Sequence, residues 1–256
     1  MGILYEYFVA GVKNALEYKD QFLTELVGEI VTIGFFYVIW EMIYSKVKIS
    51  MPLTLNEIIV YYALTAFVTQ INNFRIDRFL QRAAKTGIIS YYIVRPYNYI
   101  FAEISKEFGR YILNYSFTFI VFLIVAAFLH VGINVFVFFL YLPFVWVFFI
   151  ETRVFFGILS FWVTEVWGLR FFYYSFQDLF SGSVLPLFLF PAVIFNALKF
   201  LPFPYLNYNL VMLTLGKQGS GLLQGILILV LWDTALLVFL YFFYKKSFFR
   251  LESLGG

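Results

Sequence analysis

Among the ionisable side chains inside the long apolar runs of this chain, six stand out: Glu25, Glu29, Glu151, Arg153, Asp178 and Asp233. A charge at mid-bilayer costs roughly 2.5–3.5 kcal/mol on insertion scales, so each needs a partner or a task. Glu25 and Glu29 stand one helical turn apart. That spacing fits an interfacial pair whose carboxylates reach water, or the polar wall of a transport path shared with Gln70 and Asn73. Glu151 and Arg153 are two residues apart, point to different helix faces and pair poorly with each other. Partners on neighbouring helices, such as Glu29 or Gln70, would satisfy them, either as structural pairs or as part of the same path. Asp178 and Asp233 read as structural, bonded to tyrosines or to a partner subunit, where such contacts are worth about 0.6–2 kcal/mol.

A second chemistry lies in the stretch from Arg75 to Arg110, which carries seven of the eighteen Lys and Arg residues. Arg75, Arg78, Arg82 and Lys85 recur at three- and four-residue steps, which makes one charged helical stripe with Phe79 and Leu80 beside it. Gly87 is a natural helix terminator, and Arg95-Pro96 marks a second break. Two readings fit equally: a basic surface helix drawn to anionic lipid, and a transverse helix gripped by a cytoplasmic motor.

Other chemistries find no residues. The chain has no cysteine, which removes disulfides and thiolate metal sites. His130, the lone histidine, reads as an interfacial residue at a span end. No paired-carboxylate or HExxH pattern occurs. LGKQGSG lacks the spaced glycine before its lysine and the Ser/Thr after it that a phosphate loop needs. The chain is therefore expected to hold no catalytic residue, cofactor, metal or nucleic acid.

These residues must be positioned by membrane helices. Hydrophobic residues make up 62% and charged residues 13% of the chain, whereas soluble domains carry about 25% charge. The apolar runs are continuous over about twenty residues, the length of a spanning helix rather than of barrel strands. The expected architecture is a single all-α polytopic domain over residues 1–256. It begins with an amphipathic interfacial helix (residues 1–21), with Leu4, Phe8, Val12, Ala15 and Leu16 opposite Glu6, Lys13 and Glu17. Six spans follow at residues 22–44, 54–73, 111–129, 135–163, 171–190 and 222–244. The second opens with Thr54 and Glu57 spaced as a capping box, and Pro143 lies inside the fourth. A loop at 74–110 joins the second and third spans. Residues 191–221 form a proline-broken re-entrant region, since exposed backbone is not tolerated in lipid. No signal peptide is read, so the first span is expected to stay in the mature protein.

Lys and Arg divide unevenly between the two sides. Thirteen fall on the side of the termini and the 74–110 loop, against four (Lys46, Lys48, Lys199 and Lys217) on the other. The rule that positive charge stays inside places both termini and the large loop in the cytoplasm.

GIISYYIVRPYNYIF resembles the G-x-I-x-x-x-L-x-R-P element after the second span of ABC-2 type permeases, the membrane subunits of ATP-binding-cassette exporters. FWVTEVWGLR, FQDLFSGSVLPLFLFP and LPFPYLNYN are similar to later signatures of that family in the same order, and LESLGG resembles its short glycine-ended tail. Val94 stands where a leucine is usual, and LNYN lacks a proline often found there. The likeness is to small stand-alone permeases near daunorubicin and antibiotic exporters.

It implies a cytoplasmic coupling helix at Asp77 to Gly87, with Arg75, Arg78, Phe79, Arg82 and Lys85 meeting a groove on the ATPase. Arg95 and Pro96 would redirect the chain into the third span. Trp167, Gly168, Pro191, Pro202 and Phe203 belong to the matched motifs, while Ser181, Gly182 and Pro186 would kink the fifth span toward a dimer axis. The implied partners are two cassette ATPase subunits, which bind ATP and Mg, a second permease and membrane lipids. The implied place is a bacterial or archaeal cytoplasmic membrane, and the implied task is export of a hydrophobic or amphipathic compound. Two rival classes remain: an intramembrane enzyme of lipid metabolism, and a non-transporting scaffold whose basic loop binds lipid.

Overall fold

The computed structural model describes residues 2–46, 51–163, 165–217 and 221–254, and every regular element among them is helical. Lys48 of the first expected outer loop, Thr164 of TEVWGLR, Gln218 to Ser220 of LGKQGSG and the closing Gly255 and Gly256 lie outside the described residues. In chain order the helices are α1 (Gly2–Glu17), α2 (Lys19–Lys46), α3 (Leu55–Thr69), α4 (Ile76–Lys85), α5 (Ile89–Ile93) and α6 (Tyr99–Phe128). They continue with α7 (Val135–Leu159), α8 (Trp167–Phe180), α9 (Ala192–Leu198), α10 (Phe203–Leu206), α11 (Tyr208–Thr214) and α12 (Gly221–Leu254). Four segments are long and apolar enough to cross a membrane: Leu23–Lys46, Tyr99–Phe128, Val135–Leu159 and Gly221–Ser247. An all-helical chain of this composition satisfies its backbone within each segment, as a bilayer demands.

The centre is α3, buried on every side from Ile58 to Thr65. Its start is fixed as the sequence foretold: the Thr54 side chain accepts from the Glu57 N–H, and the Glu57 carboxylate accepts from the Thr54 N–H at 2.8 Å. The helix does not run unbroken to residue 73. After 15 residues it tightens into a 3-10 turn, Gln70–Asn73. Helix and turn together reach about 30 Å, one hydrocarbon thickness.

Two further boundaries differ from expectation. The third expected span begins inside a longer helix: α6 starts at Tyr99, where the Asn98 side chain accepts from the Ile100 and Phe101 N–H groups. Polar residues 99–110 therefore extend this helix rather than forming a loop. The fifth expected span is shorter than 171–190, because α8 ends at Phe180 instead of kinking. Gly182 there takes φ +84°, and the Ser183 N–H bonds back to the Asp178 carbonyl, a left-handed cap that stops a helix. Pro186 then begins a 3-10 turn, Leu187–Leu189. The left-handed His130 closes α6 in the same manner, its following N–H (Val131) bonding to Ala126.

The expected surface helix α1 lies along the polar extension of α6. Its seam is made by glycines rather than by the apolar stripe. A Cβ on Gly11 would overlap the Lys106 carbonyl, and one on Gly109 would overlap the Phe8 carbonyl. Ser105 donates to the Leu4 carbonyl at 2.7 Å, and Arg110 to Asn14 at 3.0 Å. The Tyr7 and Tyr97 hydroxyls meet at 2.9 Å, and burial, then that bond, pushes Tyr7 up to about 12, so it stays neutral.

Residues of the 191–221 region pack inward. α10 and α11 are buried from Pro204 to Thr214 against α3, α7 and α12. Neutral hydrogen bonds hold them. Asn207 donates to Thr65 at 3.1 Å, Asn209 to Tyr141 at 3.1 Å, and the Tyr208 N–H to the Ser181 carbonyl at 2.9 Å; beside them Tyr61 of α3 donates to the Gly182 carbonyl at 2.6 Å.

Candidate functional site

The basic helix α4 has two faces because its sequence, IDRFLQRAAK, places apolar residues at 76, 80 and 83. Ile76, Leu80 and Ala83 are buried, and α4 packs on α7. Gly157 makes the close approach possible, since a Cβ there would strike the Leu80 side chain. Arg78, Arg82 and Lys85 face outward and are exposed, with Phe79 half-buried beside them against Tyr92. Gly87, at φ +72°, ends the helix as the sequence foretold. Beyond it α5 stops before Arg95-Pro96, where the exposed Arg95 covers the Tyr91 ring at 4.1 Å.

Three polar contacts fix α4 in place. At its start the Arg75 N–H donates to Glu107 at 2.7 Å, a carboxylate placed where the helix dipole favours one. Glu107 also pairs with Arg110 at 2.5 Å. At its end Lys85 meets Glu165 at 2.5 Å, tying α4 to the break before α8. Between them Asp77 turns inward. Its side chain has no exposure and holds Arg170 of α8 at 2.8 Å and Arg153 of α7 at 3.6 Å. Asp77 therefore does not share the outward face with Arg78 and Arg82, the position the expected coupling role gave it. Arg78 and Arg82 have no ion-pair partner among the described residues.

Arg153 was expected to find Glu29 or Gln70, and it finds neither. Gln70 turns the other way, donating to Glu29 at 2.6 Å and to Thr118 at 2.5 Å, while Thr118 donates to Glu29 at 2.6 Å. The 3-10 turn instead offers Arg153 the Asn72 carbonyl, and Tyr174 offers its ring at 3.9 Å. Asp178 lies within electrostatic range of the same guanidinium.

Of the expected path residues, Glu29 and Gln70 are brought into contact. Glu25 lies one turn along, accepting from Asn114 at 2.6 Å. Both glutamates are half-buried among helices and hydrogen-bonded to side chains there. Asn73 exposes its side chain and accepts from Tyr111 at 3.2 Å through its carbonyl. Glu151 stands apart from them, buried, with Asp233 of α12 as its charged neighbour; no hydrogen bond reaches either Glu151 oxygen among the described residues.

A cavity of about 330 Å³ opens between α2, α3 and the end of α8. Phe36 and Tyr62, stacked at 3.8 Å, form its flat aromatic wall. Thr32, Thr65, Thr69, Asn72, Ser183 and Asp178 supply its polar groups. Ser181 and Gly182 sit just outside, buried, with Ser181 donating to the Asp178 carbonyl at 3.3 Å.

The remaining motif residues serve the backbone. Trp167 and Gly168 open α8, with Trp167 exposed and stacked on Phe171 at 5.7 Å. Pro186, Pro191 and Pro202 precede the 3-10 turn, α9 and α10, where a missing N–H costs nothing, and Phe203 begins α10. Sequence reasoning missed Glu107, Thr118, Asn114 and the inward turn of Asp77. Helical geometry alone leaves the last of these open, since Asp77 lies about 100° from both Ile76 and Arg78.

Against known families, residues 30–255 match the one described as ABC-2 family transporter protein, and the chain belongs to that family. It is a multi-pass transmembrane permease of an ABC transporter, from a family that associates with ABC ATPases and is generally not catalytic itself. A search of curated proteins finds no match.

Proposed function

We propose that this chain is the gate of an exporter driven by ATP hydrolysis on two separate ATPase subunits. Six spans cross a bacterial or archaeal cytoplasmic membrane: the four long helices, α3 with its 3-10 turn, and α8 with the segment after it. Helices α9 to α11 form the re-entrant element before the last span. Both termini and α4 face the cytoplasm, in keeping with the thirteen-to-four division of basic residues. Two permeases, identical or different, pair and pass a hydrophobic or amphipathic compound between them. ATP and Mg belong to the ATPases.

One observation carries this reading: α4 is anchored on three sides yet leaves Arg78 and Arg82 exposed and unpaired among the described residues. A helix that only adhered to lipid would not need its start, middle and end fixed to three other segments. A motor that pushes on it does, because a loose lever transmits no displacement. Guanidinium forks suit a carboxylate-bearing groove.

The test is co-expression with a cassette ATPase from the same source. The two copurify, and Arg78→Glu with Arg82→Glu abolishes ATP-dependent transport in vesicles. Unchanged transport by the double variant would overturn the coupling role of α4. Full activity of that face after Arg78→Lys and Arg82→Lys would favour a surface that reads charge alone.

A further inference from the structure

Arg153 touches more of this molecule than its place in an apolar helix requires. Its guanidinium donates to the Asn72 carbonyl of the 3-10 turn, lies 3.6 Å from Asp77 of α4, and covers the Tyr174 ring of α8 at 3.9 Å. Asp178 of α8 is within its electrostatic range. Two of these neighbours, Asn72 and Asp178, are walls of the 330 Å³ cavity. A third, Asp77, is the buried side of the helix whose other side carries Arg78 and Arg82.

The contact is also incompletely closed. Arg170 already holds Asp77 at 2.8 Å, while Arg153 stands off at 3.6 Å. Among the described residues the Arg153 Nε and the Asp77 Oδ1 have no hydrogen-bond partner. The Asp77 carboxylate therefore keeps an open acceptor position onto which the facing Arg153 Nη1–H can close. A shift of α4 by about 1 Å along α7 supplies the difference between 3.6 Å and a 2.7–2.9 Å charge-assisted bond.

We propose that Arg153 is a positioning residue that carries the state of α4 to the cavity walls at Asn72 and Asp178. Tightening on Asp77 draws the guanidinium away from the cavity, and loosening returns it. This rests on the exporter reading above, since α4 must be moved by something. It requires no contact between Arg153 and the transported compound.

The absence of cysteine supplies the assay. Ala66, half-buried on the cavity wall, is replaced by Cys, and the permease is joined to a cysteine-free ATPase in vesicles of phosphatidylethanolamine and phosphatidylglycerol. N-ethylmaleimide modification of that thiol is timed without nucleotide and after trapping with ATP and vanadate. With Arg153 present, the two rates differ by about fivefold or more, the low end of typical coupling between sites. Arg153→Met brings the ratio to about one with the ATPase still copurifying. Arg153→Lys restores part of it.

Retention of the full ratio by Arg153→Met overturns the proposal. If the Met variant does not assemble, Asp178→Asn decides, because it leaves both Asp77 pairs intact. Loss of the ratio there supports the link, and a full ratio overturns it. Equal rates in the Arg153 protein, despite ATP-driven transport, also overturn it. Absence of any bound ATPase defeats the exporter reading itself and this inference with it.

Discussion

The two ends of the helix bundle are held by different forces. Around α4 the contacts are charged: Asp77 with Arg153 and Arg170, Glu107 with Arg110, Lys85 with Glu165. Around α10 and α11 they are mostly neutral and aimed largely at α3 and α7: Tyr61 to Gly182, Tyr62 to Val184, Asn207 to Thr65, Asn209 to Tyr141, with one ion pair, Lys217 with Glu57 at 2.6 Å, just past α11. An ion pair weakens as the inverse of distance, so it still pulls after its partners part by 1 Å. A neutral hydrogen bond fails steeply with angle and distance. In the proposed exporter cycle the charged end would stay attached as it moved and the neutral end would hold one geometry, which puts the moving part beside α4 and the fixed part among the buried short helices.

The largest expected effect strikes the charged end. Asp77→Ala leaves two arginines facing each other without their carboxylate and costs about 3–5 kcal/mol, read as a lowered unfolding midpoint in detergent, while Asp77→Glu recovers most of it. A loss below 0.5 kcal/mol, within the range of ordinary surface changes, would erase the distinction between the ends. Next comes Gly109→Ala, which forces α1 off α6 at the Phe8 carbonyl. Overpacking of this kind costs about 1–3 kcal/mol, and faster proteolysis within α1 would report it. That seam is the rigid exception at the charged end, so a neutral outcome would make the whole end compliant.

At the neutral end Tyr61→Phe removes the donor to Gly182 and costs about 1–2 kcal/mol, with no change in the nucleotide response of the cavity. A changed response would place moving parts there as well. Smallest is Thr54→Ala, which opens the capping box for about 1 kcal/mol, measured by the same thermal unfolding.

Much of this was legible in the chain. The capping box at Thr54 and Glu57, the stop at Gly87, the break at Arg95-Pro96 and the apolar runs of α2, α7 and α12 follow from local spacing, and local spacing fixes local geometry. What escaped was set by partners far away in sequence. Arg153 was expected beside Glu29 or Gln70, yet those two bond to each other and the 3-10 turn presents the Asn72 carbonyl instead. The family resemblance implied a kink at Ser181, Gly182 and Pro186, but α8 ends at Phe180, capped by the left-handed Gly182. The polar extension of α6 read as loop because its charges hide their role: Glu107 meets the start of α4, while Arg110 pairs with Glu107 and reaches Asn14 of α1.

The claim on which all of this depends is that the outward face of α4 meets an ATPase in the cytoplasm, and labelling at position 82 tests it most directly. Arg82→Cys, in a chain with no other cysteine, is exposed to a membrane-impermeant maleimide in intact cells and in inverted vesicles. The account predicts labelling only in inverted vesicles, and protection when the ATPase is bound. Labelling in intact cells, or equal labelling with and without the ATPase, would contradict it.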